Sequence, residues 1–150
     1  MDSYEINKET CCILAMDQNI SRVIEGENEY YVNLPSYDIM DNSCQYYGST
    51  VEGRIKGTRQ ILGSNYKVPI VIEEINNIIF FPTESPSRSN CNWISLNQIK
   101  SYCDEEGFTK VTFNNNKYVL LKMSINSFEN QVLRANRLES ILRKRSCPDK

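Results

Sequence analysis

The stretch PIVIEEINNIIFFP, residues 69–82, decides the fold. Two apolar runs flank a polar turn, and Pro69 and Pro82 bracket them. This is the pattern of a β-hairpin whose ends are closed by residues unable to donate to a ladder. Both runs are apolar at successive positions, not at alternate ones. Strands of that kind are covered on both faces, so the hairpin is expected at the centre of the core.

Reading outward from it, TESPSRSN (83–90) is a loop by composition, and NWISL (92–96) is a strand anchored by the single tryptophan, Trp93. Asp104, Glu105 and Glu106 read as a solvated turn. VTF-NNNK-YVLL (111–121) is a second hairpin, its asparagines supplying the turn. In the other direction, CCILAM (11–16) and EYYVN (29–33) read as strands, with residues 21–25 as a third. Pro35 changes the pattern. Residues 36–46 fit a short helix capped by Ser36, with Ile39, Met40, Ser43 and Cys44 on its inner face. Thr50 to Leu62 fits another, although each of its two internal glycines costs about 1 kcal/mol.

The last element is an amphipathic helix near 127–145. Asn126-Ser127-Phe128-Glu129 has the form of a capping box, with Asn126 as the cap. Phe128, Val132, Ala135, Leu138 and Leu142 form one apolar stripe, with Asn130, Arg134, Arg137 and Lys144 opposite. Leu133 and Ile141 lie off the stripe and point to a second packing partner, such as another subunit. Strands without regular alternation with helices give an α+β fold: a mostly antiparallel sheet with two hairpins, short helices near 36–46 and 50–62, and the C-terminal helix. One domain, 1–145, is expected, followed by a short polar tail, 146–150.

The composition is globular, with 40% hydrophobic and 24% charged residues among 150. No apolar run reaches membrane-spanning length and MDSYEINKET is too polar for a signal peptide, so a soluble cytoplasmic protein without membrane contact is expected. Six cysteines include no C-x-x-C pair, and there is no histidine. Structural zinc is disfavoured, and buried free thiols are expected. Missing histidine removes Ser–His and Cys–His nucleophile pairs and imidazole acid–base chemistry. No enzyme, metal or cofactor is expected.

The net charge of −2 hides a segregation. Residues 1–42 carry −7, residues 43–68 carry +3, residues 69–126 carry −1 and residues 127–150 carry +3. Affinity for a polyanion depends on such local patches and not on the total. The first basic segment contains GSTVEGRIKGT (48–58). It misses the phosphate-loop pattern, because arginine and isoleucine follow Gly53 where lysine and a hydroxyl residue are needed. Glycines at 48, 53 and 57 let the main chain approach another surface. Ser49, Thr50 and Thr58 can donate to anionic oxygens; Arg54 and Lys56 supply charge, with Arg59 just beyond. A helix starting at Thr50 would add free N–H groups for a phosphate. Together these suit a nucleic-acid backbone, and an arginine there could enter a narrow minor groove. The alternative is close helix–helix packing through Gly53 and Gly57. SPSRSN (85–90) repeats the chemistry around Arg88, and is equally an ordinary loop composition.

Several blocks resemble the bacterial competence transcription factor family, ComK. They are SCQYYGSTVEGRIKGT (43–58), VPIVIEEINNIIFFPTESPSRSNCNWIS (68–95) and NSFENQV (126–132), with EYYVN (29–33) as a weaker fourth. The resemblance implies a DNA-binding activator of DNA-uptake genes. Such a factor recognises paired A/T-rich boxes mainly through the minor groove, acts as an oligomer and engages RNA polymerase. Minor-groove readout separates A·T from G·C and little more, so groove width and deformability must contribute. Ser49, Gly53, Arg54, Gly57 and Thr58 match the glycine-rich block, and Arg88 and Trp93 the later one. Arg54 and Arg88 are the expected groove or phosphate contacts, with Lys56 secondary and Trp93 a core anchor. Asn130, Arg134 and Arg137 are candidate contacts to DNA or to a partner. Members usually continue well past the last helix, in a tail associated with oligomer assembly and with an adaptor–protease system. This chain stops at RKRSCPDK, so a shortened paralogue pairing with a full-length factor is the competing expectation.

Overall fold

The computed structural model describes residues 1–64 and 66–146. The architecture is α+β, with two antiparallel sheets. The larger contains β1 (Thr10–Ala15), β2 (Ser21–Glu25), β3 (Asn28–Val32), β4 (Ile70–Glu73), β5 (Ile78–Pro82) and β6 (Trp93–Ser95), in the order β3-β2-β1-β6-β5-β4. The smaller contains β7 (Ile99–Glu105), β8 (Phe108–Phe113) and β9 (Tyr118–Leu121), in sequence order. Helices α1 (Ser36–Tyr46), α2 (Val51–Leu62) and α3 (Ile125–Arg145) complete the chain, with a 3₁₀ turn at Leu96–Gln98.

The hairpin at 70–82 forms one end of the larger sheet, with β4 at the edge, yet it is covered on both faces, and its unbroken hydrophobicity has a direct cause. Alternate side chains enter two different cores. Ile70, Ile72, Ile78 and Phe80 join Ile13, Val23 and Trp93 in a core closed by Ile39 and Met40 of α1 and Val51 of α2. Val71, Ile79 and Phe81 join Cys12, Leu14 and Ile94 in the other, closed by the small sheet and by Phe128, Val132, Ala135 and Leu138 of α3. Trp93 is fully buried, as the sequence implies for a core anchor. Cys11, Cys12, Cys44 and Cys91 are buried free thiols, whereas Cys103 is exposed; Cys147 lies outside the described residues. Burial pushes the Cys11, Cys44 and Cys91 thiols up to about 11, which keeps them protonated and unreactive.

Two helix starts differ from the sequence reading. Pro35, not Ser36, occupies the cap of α1. The buried Ser36 hydroxyl instead donates to the Cys91 carbonyl at 2.7 Å, tying α1 to the loop after β5. For α3 the cap is Ser124, two residues before Asn126, and its hydroxyl accepts from Ser127 N–H at 3.1 Å. β9 ends at Leu121, so the chain turns into the helix at the first hydroxyl it meets. Glu129 does not reach back; it accepts a 3.4 Å hydrogen bond from the Tyr102 hydroxyl. The structure also contains β7, a strand the sequence reading lacks, where it has only a solvated turn at Asp104, Glu105 and Glu106. Asp104 and Glu105 end that strand, and the tight turn is Glu106–Gly107, with φ of 53° and 91° as a two-residue hairpin loop requires.

Candidate nucleic-acid interface

Helix α2 is buried along one side only. Thr50 caps it, its hydroxyl accepting from Gly53 N–H at 2.9 Å, and Gly63 ends it in the left-handed conformation with φ of 68°. Successive residues turn by about 100°. That rotation sends Val51, Thr58 and Leu62 inward and leaves Glu52, Gly53, Lys56, Gly57, Arg59 and Gln60 exposed. The outer face is thus bare main chain at two glycines, with Glu52 and Lys56 to one side of them. A Cβ placed on Gly57 would meet nothing within 4 Å, and one on Gly53 would meet only Ser49 Oγ and Thr50 Oγ1, both at 3.2 Å. Among the described residues no other helix packs closely against the glycines, and Leu138 and Leu142 of α3 stand across a small hollow from them.

The same rotation divides the cations that sequence placed together. Lys56 and Arg59 fall on one flank, where they border a depression of about 380 Å³ shared with Tyr37, Tyr66, Ser85 and Ser87. Arg88 stands in the same serine loop, exposed, with its N–H bonded to the Ser85 carbonyl at 2.9 Å. The Tyr37 phenol is pushed up by burial first and by Asp41 and Glu52 next, so its hydroxyl remains a donor there. Arg54 falls on the other flank. It is half-buried in a smaller hollow of about 140 Å³ bordered by Ser49, Gly53, Gly57, Thr58 and Glu74. Its Nε is buried with no hydrogen-bond partner among the described residues.

Two features differ from the sequence reading. Thr58 is 3% exposed and turned into the core side of the helix. The N-terminus of α2 is already occupied: Val51 N–H donates to the Asp41 carboxylate at 2.9 Å. The helix end is thus neutralised from within the fold and offers little to a phosphate.

Helix α3 approaches from the far side of residues 66–68. Gln131, 2% exposed, donates from Nε2 to the Lys67 carbonyl at 2.9 Å and the Pro82 carbonyl at 2.7 Å. It thereby fixes the Lys67 backbone, which holds a left-handed φ of 43°. Arg134 donates to the Gln131 side-chain oxygen, and its guanidinium lies 5.7 Å from the centre of the Tyr66 ring. Arg137 donates to the Leu62 carbonyl at 3.4 Å, at the end of α2. Among the described residues none of Arg54, Lys56, Arg59, Lys67, Arg88, Arg134 and Arg137 forms an ion pair.

A family model described as ComK protein matches residues 1–147. The chain belongs to the ComK family. One ComK relative, the protein of Bacillus subtilis (strain 168) named "Competence transcription factor", is 41% identical over 138 residues, 89% of this chain and 72% of that protein. No solved structure matches the chain. The ComK-like blocks at 43–58, 68–95 and 126–132 supply α2, the serine loop and the first turns of α3. Helix α2 and the serine loop border the depression described above, and the first turns of α3 border a second hollow on the other side of Tyr66 and Lys67.

Sequence reasoning missed Tyr66 and Lys67 at this meeting point, and gave Arg59 only a passing place. The signal available was their position immediately after the Gly63 helix stop, inside the basic segment 43–68. Among the described residues no group of His, Cys, Asp and Glu is placed to hold a metal ion, and no helix is long and apolar enough to cross a membrane.

Proposed function

We propose that the protein is a DNA-binding transcriptional activator of competence genes, which recognises A/T-rich duplexes largely through the minor groove. It acts as a homo-oligomer, engages RNA polymerase and performs no chemistry of its own. The observation that carries the reading is the bare, cation-flanked outer face of α2 beside the serine loop. Gly53 and Gly57 expose main chain, Lys56 and Arg59 lie on one edge, Arg54 lies on the other, and Ser85 and Ser87 stand next to the first edge. Among the described residues these basic groups form no ion pair, which leaves them available to phosphates. Their placement lets an acidic molecule present a locally positive surface. Arg88 and the α3 residues Asn130 and Arg134 extend that surface on either side; Arg137 at the end of α2 is a peripheral member.

The test is a titration against A/T-rich and G/C-rich duplexes at two salt concentrations, with a minor-groove drug as competitor. The reading predicts tighter binding to the A/T-rich duplex, loss of affinity with salt and displacement by the drug. Binding that ignores base composition, or that survives saturating drug, refutes the minor-groove assignment.

A further inference from the structure

Tyr66 is 61% exposed, in the short segment between α2 and β4. A surface tyrosine needs no explanation by itself, but this one has unusual neighbours. Lys67 Nζ lies 5.1 Å from its ring centroid and the Arg134 guanidinium carbon 5.7 Å. Both are within the range of a cation–π attraction. Among the other exposed aromatics, Tyr118 has one cation, Lys110 Nζ at 4.5 Å, and Tyr31, Tyr46, Tyr47 and Phe108 have none among the described residues. Tyr66 also borders two depressions at once. On one side is the hollow with Lys56, Arg59 and the Ser85 and Ser87 hydroxyls, where the cations outnumber the one carboxylate, Glu52. On the other is a hollow of about 80 Å³ with Ser127, Asn130 and Arg134. The ring is therefore a partition with cations and hydroxyl or amide donors on both sides. Its backbone is held in place through Lys67 by the buried Gln131.

We propose that Tyr66 is the side chain with which this surface touches sugar and base, set between two phosphate seats. The proposal rests on the DNA-binding reading and sharpens it. Two anion seats on either side of an exposed ring match the repeat of a nucleic-acid backbone, in which charged groups alternate with flat apolar ones. The cations on the ring also exclude a purely apolar partner, because covering Tyr66 would desolvate Lys67 and Arg134 without offering them an anion. On binding, Lys67 and Arg134 turn from the ring to phosphates, and the ring occupies the space between.

Charge and aromatic contacts leave different signatures. Removing a phosphate contact lowers the slope of log affinity against log salt by about 0.9, whereas an aromatic contact lowers affinity at every salt concentration equally. The full chain is titrated by fluorescence anisotropy with an A/T-rich duplex, and again with 2-aminopurine replacing one adenine. Tyr66→Ala is expected to weaken binding about 10-fold with an unchanged salt slope and to abolish the 2-aminopurine response. Tyr66→Phe is expected to retain both, and Arg134→Ala to lower the slope. Wild-type affinity and 2-aminopurine response in Tyr66→Ala, or a fall in its salt slope, overturns the proposal while leaving the DNA reading intact. A wild-type chain that binds neither duplex overturns the DNA reading itself and this proposal with it.

Discussion

Gly57→Ala separates the role of α2 in folding from its role in contact, because the two respond with opposite sign. Gly57 lies inside the helix and is exposed, and its φ lies outside the left-handed region. The added methyl meets no atom within 4 Å, so the folded chain accepts it without strain. Alanine is better than glycine in a helix interior by about 0.5–1 kcal/mol, because less backbone freedom is lost on folding. For a chain of this size that corresponds to a rise in Tm of roughly 1–4 °C. If main chain at Gly57 lies against a DNA backbone, the methyl occupies the space the ligand needs, and affinity falls several-fold. Thermal unfolding and duplex titration of the same sample read the two effects. A variant that is more stable and binds as tightly as wild type would refute the contact role of this face. A variant less stable than wild type would refute the open surroundings of Gly57.

Other perturbations have distinct readouts. Arg54→Ala is expected to weaken duplex binding and lower the salt slope by about 0.9, as one lost phosphate contact requires; an unchanged slope would remove Arg54 from the surface. Gln131→Leu leaves the carbonyls of Lys67 and Pro82 without their donor and is expected to cost about 1–3 kcal/mol, seen as a lower midpoint in urea. Glu29 is held below its ordinary value by hydrogen bonds from Arg22 and then Lys117. Its contribution is present above the ordinary carboxylate range and lost on acidification through the depressed value. Glu29→Gln should therefore flatten the pH dependence of stability in acid, slightly, since the group is largely solvated and salt screens it. Cys103→Ser should remove one equivalent of rapidly reacting thiol from the native protein, whereas replacing Cys12 or Cys91 should remove none.

The elements most legible in the sequence are those whose hydrophobic pattern has a single cause. The 69–82 hairpin could be read as covered on both faces because no one-sided strand needs apolar residues at every position, although β4 proves to be the edge of its sheet. The stripe from Phe128 to Leu138 likewise gave the buried face of α3. What escaped depended on competition between neighbours. Asn126 and Ser124 are both chemically able to cap, and the end of β9 decided for Ser124. Ser36 could have capped α1, but a carbonyl from a distant loop took its hydroxyl. Strand β7 was hidden because only Ile99 and Tyr102 along it pack inward, so it carries no run of alternation. At the surface, glycines and basic residues of 48–58 were visible as a group, and the helix then separated Arg54 from Lys56. The place of Tyr66 in the basic segment 43–68 was visible, but its role was not. Its significance comes from Arg134 on another element, a proximity no local pattern encodes.

The central claim is that the outer face of α2, the serine loop and the segment around Tyr66 form one DNA-contacting surface. An ¹⁵N–¹H correlation spectrum recorded while an A/T-rich duplex is added tests it residue by residue. The account predicts that the largest shifts fall at residues 52–60, 66–67 and 85–88, with the outer face of β7, β8 and β9 unmoved. Shifts concentrated on that small sheet, with α2 silent, would contradict it.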